Sequence, residues 1–167
     1  MSKPDIERVT QLIKEAPLGQ YIGPEGVKIL AERVASEQRL KDNEFLYHRG
    51  EMADSFYIIT EGRVAFAREN ANNEKMRILH VLEKGDLMGE LSFIDGTPRT
   101  VSACALGDAA VLCFNAEDIM PLITEHPNLV FDFMRAVIKR VHNTVASIGQ
   151  QQIELADYIS TGGRGRI

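Results

Sequence analysis

Gly85-Asp86-Leu87-Met88-Gly89-Glu90-Leu91-Ser92-Phe93-Ile94-Asp95-Gly96-Thr97-Pro98-Arg99-Thr100-Val101-Ser102-Ala103 is the most informative stretch of this 167-residue chain. Gly89 permits a tight approach of the backbone. Glu90 to Phe93 can form one helical turn whose free N–H groups and positive dipole end face an anion. Ser92 contributes there through its N–H more than through its hydroxyl. Pro98 fixes a turn, and Arg99 then opens an alternating strand from which its guanidinium can reach back to anionic oxygens. Glu90 would repel that anion unless its carboxylate turned toward hydroxyl donors. The stretch therefore predicts a pocket for a small ligand carrying a phosphate beside a ribose hydroxyl.

Outward from this segment, the pattern between Gln38 and Phe114 is one of short alternating runs broken by Gly50, Gly62, Gly85 and Gly96, with Asn72-Asn73 marking a further turn. Many short strands with turn signals predict a mainly β chain, an antiparallel β-roll or jelly roll with flanking helices. The candidate strands are Phe45 to Tyr47, Phe56 to Thr60, Arg63 to Ala67, Met76 to Leu82, Thr100 to Ala105 and Ala110 to Phe114. Before them, Ile6, Val9, Leu12 and Ile13 recur with helical period. Gly19 and Gly23 then punctuate the chain ahead of a second helix starting near Pro24, with Val27, Leu30, Ala31 and Val34 on its apolar face. After them, Asn115 suits an N-cap, with Asp118 three residues on, for a helix to about Thr124.

The last helix begins near Asn128, after Pro127. Met134, Ile138, Val141, Val145, Ile148, Leu155 and Ile159 fall on one stripe at heptad spacing, with Gln152 filling the gap. Such a helix is about 45 to 50 Å long at 1.5 Å per residue, too long for one small domain to cover. The stripe predicts a parallel two-fold dimer seam in which Gln152 sets register; the alternative is a helix folded over its own β-roll, with an exposed or frayed end. Gly149 lowers local helix stability by about 1 kcal/mol, which favours fraying or a bend there. Three segments result: helices and β-roll over 1–127, the dimer helix over 128–160, and a flexible Gly-rich tail over 161–167.

The formal charge of −5 offers no basic patch of the kind that holds nucleic acid by counterion release, which argues against direct DNA binding. Cys104 and Cys113 sit in apolar runs without partners at metal-ligand spacing and are expected as buried thiols. No apolar run approaches the roughly 20 residues of a membrane helix, and no signal peptide is recognisable. A soluble, cytoplasmic chain is expected. His48, His80, His126 and His142 are scattered and belong to no nucleophile, HExxH, Walker or CxxC motif, so neither catalysis, cofactor nor metal is predicted.

The opening segment resembles the phosphate-binding cassette of the cyclic nucleotide-binding domain family, which includes catabolite activator proteins, kinase regulatory subunits and gated channels. Gly89-Glu90-Leu91 followed by Pro98-Arg99-Thr100 keeps the family spacing. Similarity continues upstream through Tyr47, Gly50, Ala53-Asp54, Phe56 to Ile59 and Glu61 to Val64, and spans about Leu12 to Ile159. The resemblance implies ligand contacts from Gly89, Glu90, Leu91, Ser92, Pro98, Arg99, Thr100 and Val101. It also places Thr144 where catabolite activator proteins have an adenine-contacting Thr, and Arg140 where a basic residue faces the cassette acid. Val101-Ser102-Ala103 departs from the family order by exchanging bulk at two positions, which reshapes the pocket wall. Val145 replaces a hydroxyl that reaches the purine of the opposite subunit.

The implied function is a homodimeric sensor of cyclic AMP that shifts its C-terminal helix on binding and hands the change to a downstream protein. Relatives that regulate transcription carry a helix-turn-helix after this helix, and none is expected in the Gly-rich stretch after Ser160. A cyclic GMP or cyclic di-GMP receptor, and a ligand-free interaction module of the same fold, are the alternatives.

Overall fold

A computed structural model describes residues 2–69 and 76–160. Six strands form one antiparallel sheet: β1 (Ser36–Leu40), β2 (Phe45–Tyr47), β3 (Ser55–Arg68), β4 (Arg77–Glu83), β5 (Leu87–Met88) and β6 (Ser102–Asn115). They run in the order β1-β6-β3-β4, with β2 also paired to β6 and β5 to β3. The helices are α1 (Ile6–Glu15), α2 (Pro17–Glu32), α3 (Glu90–Asp95), α4 (Ala116–Ile119), α5 (Leu122–Glu125) and α6 (Pro127–Ser160). The expected mainly β architecture with flanking helices is the one observed. The turn expected at Asn72-Asn73 and the tail over 161–167 lie outside the described residues.

The two central strands explain why their sequences are apolar without a break. On β3, Phe56 and Ile58 face the helices while Tyr57 and Ile59 face the inside of the roll; on β6, Leu112 and Phe114 face the helices and Val111 the inside. A strand covered on both sides reads as a continuous hydrophobic run. The helix-side core joins these residues to Val9 and Ile13 of α1, Leu30 of α2 and Leu129 and Val137 of α6. Phe56 stacks on Phe114 at 5.0 Å and touches Phe93 and Phe133, each at 5.3 Å, so one ring joins the sheet to α3 and α6.

Several expected boundaries move. The strands expected at Phe56 to Thr60 and Arg63 to Ala67 are one strand, β3, because Gly62 is a bulge and not a turn. Its φ of 72° and the carbonyl of Asp108, which a Cβ would strike, both require glycine, and the register shifts on each side of Glu61. The strands expected at Thr100 to Ala105 and Ala110 to Phe114 likewise merge into β6, which begins only at Ser102. Short β1 and β5 were missed, being polar in one case and two residues long in the other.

Gly19 does not end a helix; it lies inside α2, close to the carbonyl of Ile13. Gly23 does break α2, with φ 71°, and Pro24 opens its second half. Asn115 stands at the N-cap position of α4, but its side chain makes no capping bond and accepts from the Cys113 thiol at 3.5 Å. The helix expected there is split into α4 and α5 around Met120 and Pro121. Cys104 is buried and Cys113 is half-buried; both are free, and burial pushes both thiols up.

The single helix α6 continues unbroken through Gly149, where fraying or a bend was expected, and is about 50 Å long at 1.5 Å per residue. Its first third is buried in the helix-side core at Leu129, Ala136 and Val137. Ile138, Val141, Val145, Ile148, Leu155 and Ile159 of the stripe are all exposed, which fits both the expected dimer seam and a helix that covers its own roll with an exposed end. No helix among the described residues is long and apolar enough to cross a membrane.

Candidate functional site

The cassette is held by hydrogen bonds within the chain. Gly89 takes φ 76° between β5 and α3, which a side chain would oppose. The loop after α3 is closed by Gly96 N–H donating to the Ser92 carbonyl at 3.0 Å. The Asp95 carboxylate accepts from both the N–H and the hydroxyl of Thr97, at 2.9 and 2.6 Å. Those two donors hold the Asp95 carboxyl below its ordinary range. Arg99 is then pinned to the loop between β2 and β3: its N–H donates to the Glu51 carbonyl at 2.9 Å, and the Gly50 N–H donates to its carbonyl at 2.8 Å. Arg99 and Thr100 therefore sit in a loop ahead of β6, not at the start of a strand as expected.

The Arg99 side chain turns inward and is only 4% exposed. Nη1 donates to the Gly89 carbonyl and Nη2 to the Ser55 carbonyl, both at 2.6 Å, and the guanidinium lies 4.3 Å from the Tyr47 ring centre. Nε is buried without a hydrogen-bond partner among the described residues. Among the described residues no carboxylate forms an ion pair with Arg99. An arginine is charged at every accessible pH, and burying a cation against neutral acceptors alone is costly. The arrangement has an opening for one anion.

That anion would enter a cavity of about 440 Å³. From the cassette, Gly89, Glu90, Leu91, Ser92, Arg99, Thr100 and Val101 line it; from α6, Arg140 and Thr144 do. Pro98 does not line it; its carbonyl accepts from the Ser92 hydroxyl at 3.5 Å and so fixes the loop from outside. Glu90 is 7% exposed, and its carboxylate accepts from Arg140 at 3.0 Å, while the same Arg140 nitrogen donates to the Leu87 carbonyl at 3.1 Å. This pair ties α6 to the cassette directly. The Thr144 hydroxyl donates to the Arg140 carbonyl at 3.0 Å, one turn back along the helix. Among the described residues no cluster suited to a metal occurs.

The opposite wall was not anticipated from the sequence as part of the site. Tyr47 ends β2, and Phe66 and His80 face each other across the β3–β4 pair, with Leu82 two residues along. The alternation His80, Leu82 on β4 marks one face of a strand, and following that face inward would have found them. Val145, whose side chain replaces the expected hydroxyl, also lines the cavity.

A Cβ built on Gly89 would stand 2.6 Å from Arg99 Nη1. Gly89→Ala is expected to strain the left-handed turn by about 1 to 3 kcal/mol and to displace the guanidinium. Thermal denaturation should show the loss of stability, and titration of the folded fraction should show ligand affinity lowered at least about tenfold if the anion contact is worth a charge-assisted bond.

Comparison with known proteins agrees with this geometry. The chain is 24% identical over 157 residues to a CRP-like cAMP-activated global transcriptional regulator of Mycobacterium tuberculosis, covering 94% of this chain and 66% of the relative. It is 26% identical over 129 residues to a cyclic AMP receptor protein of Thermus thermophilus, covering 77% and 59%. The chain thus spans less than two thirds of these relatives' own length. The crystal structure of the N-terminal domain of a transcriptional regulator from Streptomyces coelicolor A3(2) superposes with a TM-score of 0.66 at 28% identity, covering 84% of this chain and 95% of that one. Residues 37–126 match the family model of the cyclic nucleotide-binding domain, a span that runs from β1 to the end of α5 and holds the whole cassette. On this match over more than half of its length, the chain belongs to the cyclic nucleotide-binding domain family.

Proposed function

We propose that this chain is a sensor of cyclic AMP that works as a homodimer and signals through the position of α6. The buried Arg99 guanidinium in the wall of the cavity, which forms no ion pair among the described residues, carries this reading. A cavity of about 440 Å³ lies within the roughly 300 to 1,000 Å³ usual for small-molecule sites. A cyclic phosphate would complete the coordination of Arg99, and a ribose 2′-hydroxyl would donate to Glu90. That hydroxyl competes with Arg140 for the carboxylate, so occupancy would bear on the Arg140 to Glu90 contact, a direct tie between cassette and α6. A ligand moves such an equilibrium only by the difference in its affinity for the two helix placements.

Thr144 supports adenine over guanine. Its hydroxyl proton is spent on the Arg140 carbonyl, leaving the oxygen as an acceptor. The exocyclic amine of adenine donates to such an oxygen, whereas the guanine carbonyl needs a donor. Calorimetric titration with cyclic AMP, cyclic GMP and cyclic di-GMP tests the assignment directly. Cyclic AMP is expected to bind with the highest affinity. Thr144→Ala is expected to weaken it about fivefold, the worth of one neutral hydrogen bond, while leaving cyclic GMP nearly unchanged. Parallel losses for both nucleotides would show that Thr144 acts through helix placement. No binding of any of the three would remove the assignment.

The output is a downstream protein that recognises the α6 position. The exposed stripe from Val141 to Ile159 supports the dimer, since two copies related by a two-fold axis would each cover the other's apolar face.

A further inference from the structure

We propose that Tyr47 is a positioning residue for ligand binding: its ring is a platform that holds the Arg99 guanidinium in the plane from which it meets the phosphate. This rests on the nucleotide pocket proposed above and adds a residue from outside the cassette. Tyr47 is 6% exposed, lies against Arg99 at 4.3 Å, and stacks in turn on Tyr57 with ring centres 6.1 Å apart; Arg99 lies 5.9 Å from the Tyr57 ring. Two carbonyls hold the Nη atoms at the guanidinium edge, and the Tyr47 ring supports its face. A cation over an aromatic face is attracted by the ring quadrupole, most strongly where both are out of water. Burial also pushes the Tyr47 hydroxyl up, so the platform remains a neutral phenol.

The hydroxyl forms no hydrogen bond among the described residues, whereas the π face lies against the guanidinium. Tyr47→Phe is therefore expected to bind cyclic AMP within about twofold of the native affinity, and Tyr47→Leu about tenfold more weakly. Tyr47→Ile serves the same purpose if the Leu variant fails to fold, since β-branched residues suit a strand. The NMR resonance of Arg99 Nε–H, identified by its loss in Arg99→Ala, reports whether the ring lies against the guanidinium in solution. Ring current should shift it upfield in the native chain and in Tyr47→Phe, and release it in the aliphatic variant, with no ligand present. An Arg99 resonance at the position of a free arginine in the native chain would overturn the platform. So would an aliphatic variant that binds as well as the native chain, or a Phe variant that loses as much as the aliphatic one. A native chain that binds no cyclic nucleotide would remove the pocket assignment and the positioning role together. Native binding with an unaffected aliphatic variant would remove the positioning role alone.

Discussion

Arg99→Ala is expected to lower cyclic AMP affinity by at least tenfold while leaving the chain folded. Charge-assisted hydrogen bonds contribute about 1.5 to 3 kcal/mol net, and more when their loss leaves a buried anion unpaired. Effects on the free protein largely offset each other. Removing the side chain leaves the Gly89 and Ser55 carbonyls without their donor, but it also removes a cation that is buried without a counter-ion. Water entering the cavity can satisfy the two carbonyls. The free variant should therefore unfold within about 2 kcal/mol of the native chain. The contrast appears on adding ligand. At a hundred times the native dissociation constant, the native chain gains about 2.7 kcal/mol of stability, and a variant that binds at least tenfold more weakly gains at most about 1.4 kcal/mol at the same concentration. A thermal shift of equal size in both proteins would place the phosphate elsewhere.

The second large effect concerns the open half of α6. Ile148 is 50% and Leu155 58% exposed. Neither belongs to a buried core cluster of the chain. Ile148→Glu or Leu155→Glu brings two like charges together across a two-fold seam, at a cost of several kcal/mol of association. Sedimentation at micromolar concentration is expected to give twice the monomer mass for the native chain and a monomer for either variant. Because the cassette lies within one copy, both variants should still bind cyclic nucleotide. A native chain that sediments as a monomer with and without nucleotide would remove the seam and the route from ligand to partner.

What the sequence by itself determined is what depends on near neighbours along the chain. Gly89, Glu90 and Ser92 are linked to Pro98 and Arg99 through ten residues of one local loop, so glycine, proline and turn chemistry suffice to read it. The stripe on α6 was equally legible, because helical spacing alone places its members on one face. Strand lengths were less so, since Gly62 marks both a turn and a bulge in sequence, and only the paired strand, with the Asp108 carbonyl against it, distinguishes the two. The direction of Arg99 was decided by tertiary structure. Its acceptors are on β3 and beside β5, and its aromatic platform is on β2, 52 residues earlier in the chain. The far wall of the cavity has the same origin, because Phe66 and His80 become neighbours only through the β3–β4 register. Arg140 meets Glu90 from 50 residues away, and no local pattern encodes that meeting. Backbone conformation is set over a few residues, whereas the burial of a charge and the choice of its partners are set by whatever the whole chain brings within a few ångströms.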